Sequence, residues 1–215
     1  MSIWKRWTLL VSILLLTMFH PFIIMEVMSI SNNEPIPSIS TEKVYFAGGC
    51  FWCMEPVFDV IPGVISTISG YMGGSAEDAN YNAVSAGITK HIETIQVEYD
   101  PEKVDYRTLV DAFWRSIDPT DEAGQFADKG YHYQTAIFIR TEEQEMIASD
   151  SKDALIELKK FDQPIVTKFL PETTFYEAED YHQNYYIKNT IHYNSYKIGS
   201  GRAGFLKNLW GSSDN

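Results

Sequence analysis

The feature that most constrains this chain is the segment GGCFWCME at residues 48–55, because it holds both cysteines of the protein. The apolar residues 44–47 before it are typical of a short buried strand, and the glycine pair lets the backbone turn sharply out of that strand. Residues 52–60 have helical spacing, so Cys50 is predicted at the start of a helix. Unpaired backbone N–H groups and the helix dipole favour a thiolate there, which makes Cys50 a candidate nucleophile.

Cys53 lies three residues after Cys50, so the two sulfurs face each other on one helical turn and can form and break a bond. The residues alone leave three interpretations open: two small residues packed in a core, half of a zinc site, or a redox-active dithiol. Zinc needs two further ligands, and the chain has no second C-x-x-C. A thioredoxin-like dithiol usually has small residues between its cysteines, whereas Phe51 and Trp52 indicate an apolar pocket. The histidines available as ligands, which form no H-x(3-5)-H pair, are His91, His132, His182 and His192.

With these residues the sequence resembles the A-type peptide methionine sulfoxide reductases, whose signature is G-C-F-W followed by Gly or Cys, with an acidic residue nearby. The resemblance extends from about residue 44 to residue 186, some two thirds of the chain. It implies thiol-dependent reduction of methionine S-sulfoxide, free or in proteins, as a repair of oxidative damage (an EC 1.8.4.11 activity). Further matching segments are Pro62-Gly63-Val64, Gly70-Tyr71-Met72-Gly73-Gly74, His91-Ile92-Glu93, Tyr99-Asp100-Pro101, Phe113-Trp114, Asp118-Pro119-Thr120 and Phe175-Tyr176-Glu177-Ala178-Glu179-Asp180-Tyr181-His182-Gln183.

Sulfoxide reduction needs a nucleophile for the sulfur, an acid for the oxygen and a dry site for the methyl group. Cys50 suits the first task, and Phe51 with Trp52 are the predicted substrate-binding residues. Glu93 lies on the apolar face of a strand predicted over 91–99, where burial raises the pKa of a carboxyl toward that of a general acid. The alternative is a solvated glutamate at the frayed start of that strand. The resemblance favours catalysis, since the family's acid occupies the H-x-E position.

Three more site residues follow from the resemblance. Tyr71 and Tyr133 correspond to the family's two phenols that hydrogen-bond the sulfoxide oxygen, and Asp128 matches an acidic residue that orients polar groups near the second phenol. The local pattern departs from the family, because His132 stands where Gln is usual and Gln134 where Arg is usual.

The resemblance implies that Cys50 becomes a sulfenic acid when methionine leaves. Many family members restore it with a thiol on a C-terminal tail, but residues 184–215 contain no cysteine, so only Cys53 can resolve it within the chain. The resulting disulfide requires an external dithiol, such as a thioredoxin-like protein, and no cofactor or metal. The alternative to this disulfide is direct reduction of the sulfenic acid by an outside thiol. The alternative functions are a general thiol-disulfide oxidoreductase and a zinc-stabilised binding module.

The predicted fold class is α+β: a two-layer sandwich of split-βαβ (ferredoxin-like) type with long loops and an irregular C-terminal tail. Thr141 is expected to open a long helix with one apolar face formed by Ile147, Ala154, Leu158 and Phe161. Strands are predicted over 44–47, 64–70, 91–99, 135–140 and 165–169, and the first two helices over 52–60 and 105–117.

The chain divides into a signal peptide or membrane anchor over 1–30, a linker over 31–40 and a catalytic domain over 41–215. Lys5 and Arg6 precede an apolar run, which predicts an extracytoplasmic enzyme, anchored or secreted, whose N-terminal segment contacts the membrane. A hydrophobic extension of a cytoplasmic enzyme is the alternative. The net charge of −12 falls on the catalytic domain and argues against nucleic acid and anionic membrane surfaces as its partners.

Overall fold

A computed structural model describes residues 40–211 of the chain. The predicted signal or anchor over 1–30 and nearly all of the linker over 31–40 lie outside these residues. Within 40–211, none of the helices combines the length and the apolar character that a membrane span requires. The location of the enzyme therefore stays a prediction.

Strands and helices alternate in the first two thirds of this region, and helices follow one another in the last third. The strands are β1 (Glu42–Gly48), β2 (Val64–Met72), β3 (Ile92–Tyr99), β4 (Gly124–Gln125), β5 (Asp128–Lys129), β6 (Thr135–Ile139), β7 (Lys168–Pro171) and β8 (Tyr176–Glu177). The helices are α1 (Phe51–Asp59), α2 (Tyr81–Ser85), α3 (Tyr106–Trp114), α4 (Glu142–Glu157), α5 (Tyr185–Lys188), α6 (Thr190–Gly199) and α7 (Arg202–Trp210).

The main sheet has six strands in the order β7-β6-β1-β3-β2-β8. β6 and β7 are parallel, and the other neighbouring strands are antiparallel. β4 and β5 form a separate small hairpin within the stretch 118–131, for which no regular structure was predicted. A mixed sheet with helices confirms the predicted combination of strands and helices.

β1 is buried on both faces, which explains its uninterrupted apolar run. On one face, Phe46 stacks against Phe58 of α1 at 5.0 Å and Phe113 of α3 at 5.4 Å between ring centroids. On the other face, Tyr45 packs against Phe175 at 5.5 Å. The C-terminal end of α1 is thereby packed on the centre of the sheet, and the Cys50 segment at its start follows β1 directly.

The apolar face predicted for α4 holds at Ile147 and Phe161, which are partly buried against the core, and is wrong at Ala154 and Leu158. Ala154 and Leu158 are exposed, and the helix instead buries a partly polar face. Ser151 donates to Oδ1 of Asp111, and Oε1 of Gln144 accepts the Arg140 N–H at 2.9 Å. These polar partners decide which face turns inward, and apolar spacing does not record them. The buried residues of α4 are Gln144, Ala148, Ser151 and Leu155.

The prediction of an irregular C-terminal tail is also wrong, because α5, α6 and α7 occupy most of it. Left-handed residues precede two of these helices: Asn184 (φ 54°) lies before α5 and Gly201 (φ 89°) lies before α7. Asparagine and glycine adopt this conformation most readily, so the amide-rich composition marks turns between helices. The tail is docked at its start, where the Asn184 N–H donates to Oε1 of the buried Glu55 at 2.9 Å.

Candidate active site

Cys50 is the N-cap residue of α1, as predicted, and follows Gly49 in a left-handed conformation (φ 81°). A Cβ on Gly49 would lie 2.5 Å from Cβ of Gln125 and 2.9 Å from Nη2 of Arg202. Glycine is therefore required twice over, by the backbone angle and by the close approach of two side chains. The segment is tightly enclosed, and Cys50 itself is only 6% exposed.

Glu93 lies beside the start of α1, on the central strand β3. Its side chain is buried, and Oε2 accepts the Phe51 N–H at 3.0 Å. Burial raises the pKa of this carboxyl to about 8, although the hydrogen bond from Phe51 acts in the opposite direction. The alternative of a solvated, frayed glutamate does not describe this position. At neutral pH the carboxyl holds a proton next to the Cys50 segment.

Both cysteines are free and buried, and a hydrogen bond couples their thiols. Burial, followed by the hydrogen bond with Cys53 and the charge of Glu93, raises the pKa of the Cys50 thiol well above its usual range. The Cys53 thiol has a lowered pKa, first because of its hydrogen bond with Cys50, with Arg202 also contributing. Burial therefore opposes the thiolate that the helix N-terminus is expected to favour at Cys50, and that expectation stays a prediction.

Two phenols face this pair of sulfurs and Glu93. Burial is the main cause of the raised pKa of Tyr133, followed by the charges of Glu93 and Cys50. The same two groups, after burial, raise the pKa of Tyr81. Both side chains are half-buried. Tyr133 is where it was predicted, whereas Tyr81 was missed by sequence reasoning.

Tyr71 lies in a different place from the one predicted for a phenol at the sulfoxide oxygen. Its ring is fully buried, and its hydroxyl donates to Oε2 of Glu179 at 2.9 Å. Oε1 of the same carboxylate accepts the Tyr81 N–H at 2.9 Å, at the start of α2. The Tyr71 ring also packs on the Phe51 ring at 6.0 Å between centroids, so Tyr71 borders the cysteine segment while Glu179 engages its hydroxyl.

Asp128 lies in β5 and accepts a hydrogen bond from the Tyr196 hydroxyl of α6. Its charge adds to the raised pKa values of Glu93 and Tyr133, after burial. The pKa of Tyr196 is raised strongly by burial and then by the Cys50 sulfur, with which its hydroxyl also forms a hydrogen bond. Asp128 therefore lies at the site, and its hydrogen-bond partner Tyr196 comes from α6 of the C-terminal tail.

Phe51 and Trp52 form an aromatic group with His182. Phe51 is buried and packs on the His182 ring at 4.8 Å between centroids. Trp52 donates from Nε1 to Nδ1 of His182 at 3.0 Å and stacks on Tyr185 at 3.7 Å. Burial lowers the pKa of His182 to about 4, so the ring is neutral near pH 7. This wall is apolar and uncharged, and its partly exposed member is Trp52.

Comparison with known proteins is consistent across sequence and structure. A family profile described as peptide methionine sulfoxide reductase matches residues 42–214. The peptide methionine sulfoxide reductase MsrA of Bacillus subtilis (strain 168) is 48% identical over 171 residues, which cover 80% of this chain and 97% of that protein. The corresponding protein of Bacillus pumilus (strain SAFR-032) is 47% identical over 169 residues, 79% of this chain and 95% of that protein. This chain belongs to the peptide methionine sulfoxide reductase family.

Solved structures agree with this assignment. Mxr1 from Saccharomyces cerevisiae in its reduced form has a TM-score of 0.64 and 30% identity, covering 70% of this chain and 86% of that chain. Methionine sulfoxide reductase A of Corynebacterium diphtheriae has a TM-score of 0.61 and 31% identity, covering 70% of this chain and 76% of that chain. The resemblance found at the cysteine segment is confirmed: the chain is an A-type methionine sulfoxide reductase, an oxidoreductase.

The family match is longer than the resemblance found by inspection, because it includes the helices after residue 186. Those helices carry Tyr196 and Arg202, neither of which was predicted at the site. Arg202 is 2% exposed and donates from Nη2 to the Gly48 carbonyl at 2.8 Å. The sequence offered one indirect indication of these residues. The tail contains no cysteine, so any contribution it makes to the site has to come from its aromatic and basic residues.

A metal-based interpretation finds no ligand set in the part of the chain that the structure describes. There, no group of three or more His, Cys, Asp and Glu side chains is arranged to hold a metal ion. Nδ1 of His91 accepts the Gly74 N–H, and Nε2 of His91 donates to the Ser75 carbonyl. Nδ1 of His182 accepts a hydrogen bond from Nε1 of Trp52.

Proposed function

We propose that this reductase acts on methionine S-sulfoxide, free or in proteins, through attack of the Cys50 sulfur on the sulfoxide sulfur. The observation that carries the proposal is the buried Glu93 carboxyl, fixed by the Phe51 N–H at 3.0 Å beside a cysteine at a helix N-terminus. An acid that keeps its proton near pH 7 next to a nucleophile is what the reaction requires. The physiological role is repair of oxidised methionine.

In the first step, Glu93 delivers its proton to the sulfoxide oxygen while the Cys50 sulfur bonds to the sulfoxide sulfur. The sulfur–oxygen bond of the substrate and the new sulfur–sulfur bond then break while the oxygen bonds to the Cys50 sulfur, so methionine leaves and Cys50 carries the OH group as a sulfenic acid. The proton lost from the Cys50 thiol restores the Glu93 carboxyl. The raised pKa of Cys50 makes this coupled proton transfer necessary, because the resting nucleophile is a thiol.

Tyr81 and Tyr133 are proposed to hold the sulfoxide oxygen. Support comes from the response of both phenols to the charges of Glu93 and Cys50. Tyr71 is assigned a positioning role, since Glu179 links its hydroxyl to the backbone that carries Tyr81. This replaces the direct role predicted for Tyr71.

The apolar wall of Phe51 and Trp52 is proposed to receive the methyl group of the substrate. Its contacts with the neutral His182 ring exclude charge from this side of the site. Asp128 and Tyr196 supply the polar groups and are joined by their hydrogen bond, and the Tyr196 ring packs edge-on against Trp52 at 6.0 Å between centroids. A sulfoxide has one polar and two apolar substituents on sulfur, so a site with two such sides can orient it.

The second step is proposed to be internal. The Cys53 sulfur attacks the sulfenic sulfur of Cys50, a disulfide forms, and hydroxide leaves and takes up a proton to become water. An external dithiol, such as a thioredoxin-like protein, then reduces the disulfide and becomes oxidised itself. Support comes from the hydrogen bond between the two thiols. No cofactor is needed in this scheme.

Placement outside the cytoplasm remains part of the proposal, on the basis of the basic and apolar pattern over 1–30. An oxidising compartment would then require a dedicated reducing partner, because the disulfide would otherwise persist. We also propose that the sheet is an extended split-βαβ unit. Its support is the position of β3 between β1 and β2, antiparallel to both.

The testing experiment is turnover of separate S and R epimers of a methionine sulfoxide peptide by the full chain with dithiothreitol, compared with Glu93→Gln and Glu98→Gln. Glu98 lies on the same strand, but its carboxylate accepts from Thr41 at the surface, so it is a matched control. We expect reduction of the S epimer alone, a loss of about a hundredfold or more in kcat for Glu93→Gln, and wild-type activity for Glu98→Gln.

Equal reduction of both epimers, or full activity of Glu93→Gln, contradicts the proposal. Reduction of insulin disulfides by the wild type and by Glu93→Gln at the same rate, without sulfoxide turnover, would instead identify a general thiol-disulfide oxidoreductase, which has no use for a buried acid.

A further inference from the structure

Arg202 is a buried cation that comes from the last helix and ends at the cysteine segment. Its guanidinium donates from Nη1 to the Ser116 carbonyl at 2.7 Å and from Nη2 to the Gly48 carbonyl at 2.8 Å. Nη1 also contacts Sδ of Met54 at 3.6 Å, and the group lies 4.7 Å from the centroid of the Phe126 ring. The guanidinium therefore touches the residue two before Cys50 and the residue directly after Cys53.

The partners of this guanidinium are neutral. Among residues 40–211, no carboxylate forms an ion pair or hydrogen bond with Arg202, although its side chain is almost completely buried. A buried charge without a counter-charge is costly, and carbonyl acceptors compensate it only in part. Such a group stabilises negative charge that forms nearby, and the charge of Arg202 acts on the Cys53 thiol.

We propose that Arg202 is a positioning residue for the resolving step: it fixes the Gly48–Cys53 turn and holds Cys53 as the thiolate that attacks the Cys50 sulfenic acid. The inference rests on the proposed function, in which Cys53 resolves Cys50. In the step it assists, the sulfur–sulfur bond forms, the sulfenic sulfur–oxygen bond breaks, the Cys50 sulfur is reduced, the Cys53 sulfur is oxidised, and the leaving hydroxide is protonated to water.

The electrostatic surroundings of Cys53 agree with this role. Its thiol pKa is lowered first by the hydrogen bond with Cys50, burial opposes this, and Arg202 is the leading charge that lowers it. Once Cys50 carries a sulfenic OH, the thiol–thiol arrangement that lowers the Cys53 pKa has changed, and the cation remains. The charged and titratable groups that act on Cys53 or respond to it are Cys50, Glu93, Asp128, Lys197, Tyr193 and Arg202.

The first test measures the thiolate of Cys53 directly. In a Cys50→Ser background, the ultraviolet absorbance of the thiolate is followed against pH with Arg202 intact and as Arg202→Met, Arg202→Gln and Arg202→Lys. We expect the midpoint of Cys53 ionisation to rise by about one pH unit or more in the two neutral variants, which corresponds to about a tenfold loss of thiolate. In the lysine variant, which keeps the charge, the midpoint should rise by less than half as much. Arg115→Met is the control, because this exposed arginine also stacks on a tail residue, Trp210, without touching the cysteine segment.

The second test follows the two chemical steps in the chain with both cysteines. After mixing with excess sulfoxide and no reductant, we expect Arg202→Gln to release the first equivalent of methionine at nearly the wild-type rate. Its Cys50–Cys53 disulfide should form about tenfold more slowly at neutral pH, and the deficit should shrink as pH rises. Arg202→Lys should restore most of the rate.

Equal slowing of both steps, without a shift in pH dependence, would overturn the inference and leave Arg202 a structural residue. An unchanged Cys53 midpoint in folded neutral variants would overturn it as well. If the neutral variants do not fold, a Lys variant whose midpoint rises by a full unit contradicts a role for the charge. Loss of the proposed function is recognised separately, since the wild type itself would then form no disulfide with sulfoxide.

Discussion

Residues 48–55 and the region after residue 172 contribute to the same site, but different interactions determine their positions. The first segment is fixed locally: Gly49 must be glycine, and α1 begins where the chain turns. The second is positioned at the site by contacts with distant parts of the chain, such as that of Tyr196 with Asp128. A nucleophile can therefore be recognised from neighbouring residues, whereas the groups that surround it come from far along the chain.

The two cysteines allow the sharpest test of the local segment. Cys50→Ser should lower sulfoxide turnover at least about a thousandfold, because the nucleophile is lost. Cys53→Ser should still release one equivalent of methionine per chain and then continue only with a small thiol such as dithiothreitol. Methionine release is measured by chromatography, and mass spectrometry detects the disulfide. Continued turnover of Cys53→Ser with a thioredoxin-like protein as sole reductant would show that the internal disulfide is unnecessary.

Glu93→Gln separates catalysis from stability. The folded pKa of about 8 exceeds the ordinary carboxyl value, so the folded chain binds more protons than the unfolded one between those limits. The free energy of unfolding of the wild type should therefore fall as pH rises through this window, by up to about 5 kcal/mol from this group.

The glutamine variant lacks this loss and should be more stable than the wild type at pH above 8, but not near pH 4, in urea titrations. Glu98→Gln is the control for removing a carboxylate from the same strand. A wild-type minus variant difference that does not change with pH would mean that Glu93 is not buried as a protonated acid.

The tyrosines test which phenols act directly. Tyr81→Phe should reduce kcat about tenfold or more, since it removes a hydroxyl from the proposed oxygen site. Tyr71→Phe should have a smaller effect, because Glu179 keeps its bond to the Tyr81 N–H when the Tyr71 hydroxyl is removed. Steady-state rates of the two variants, together with Tyr181→Phe at the exposed Tyr181 as a control, give the order. A larger loss for Tyr71→Phe would reverse the assignment.

Gln183→Ala tests docking of the tail on the sheet. The Gln183 amide accepts the Ser69 N–H and donates to the carbonyls of Ser69 and Ala178, each at 2.9 Å. Its removal should cost about 2 kcal/mol of unfolding free energy, because three backbone groups lose their partner. Denaturant unfolding would measure this, with the exposed Gln163→Ala as a neutral reference. If Gln183→Ala changes neither activity nor stability, long-range docking of the tail does not determine the position of its site residues.

The sequence alone determined the nucleophile segment, the strand that carries Glu93 and the family, because each depends on residues within a few positions of one another. Glycine before Cys50, alternation along β3 and helical spacing after it are local consequences of backbone geometry. The predicted strands and first helices accordingly match the structure within a few residues.

Only the tertiary structure decided which phenols face the sulfur, which face of α4 is buried and what the tail does. Tyr71 and Tyr81 are ten residues apart, and their roles depend on Glu179, about a hundred residues later. The same holds for Arg202, whose partners Gly48 and Ser116 come from other parts of the chain. The pKa order of the two cysteines also depends on burial and on distant charges, so a helix N-terminus in the sequence could not fix it.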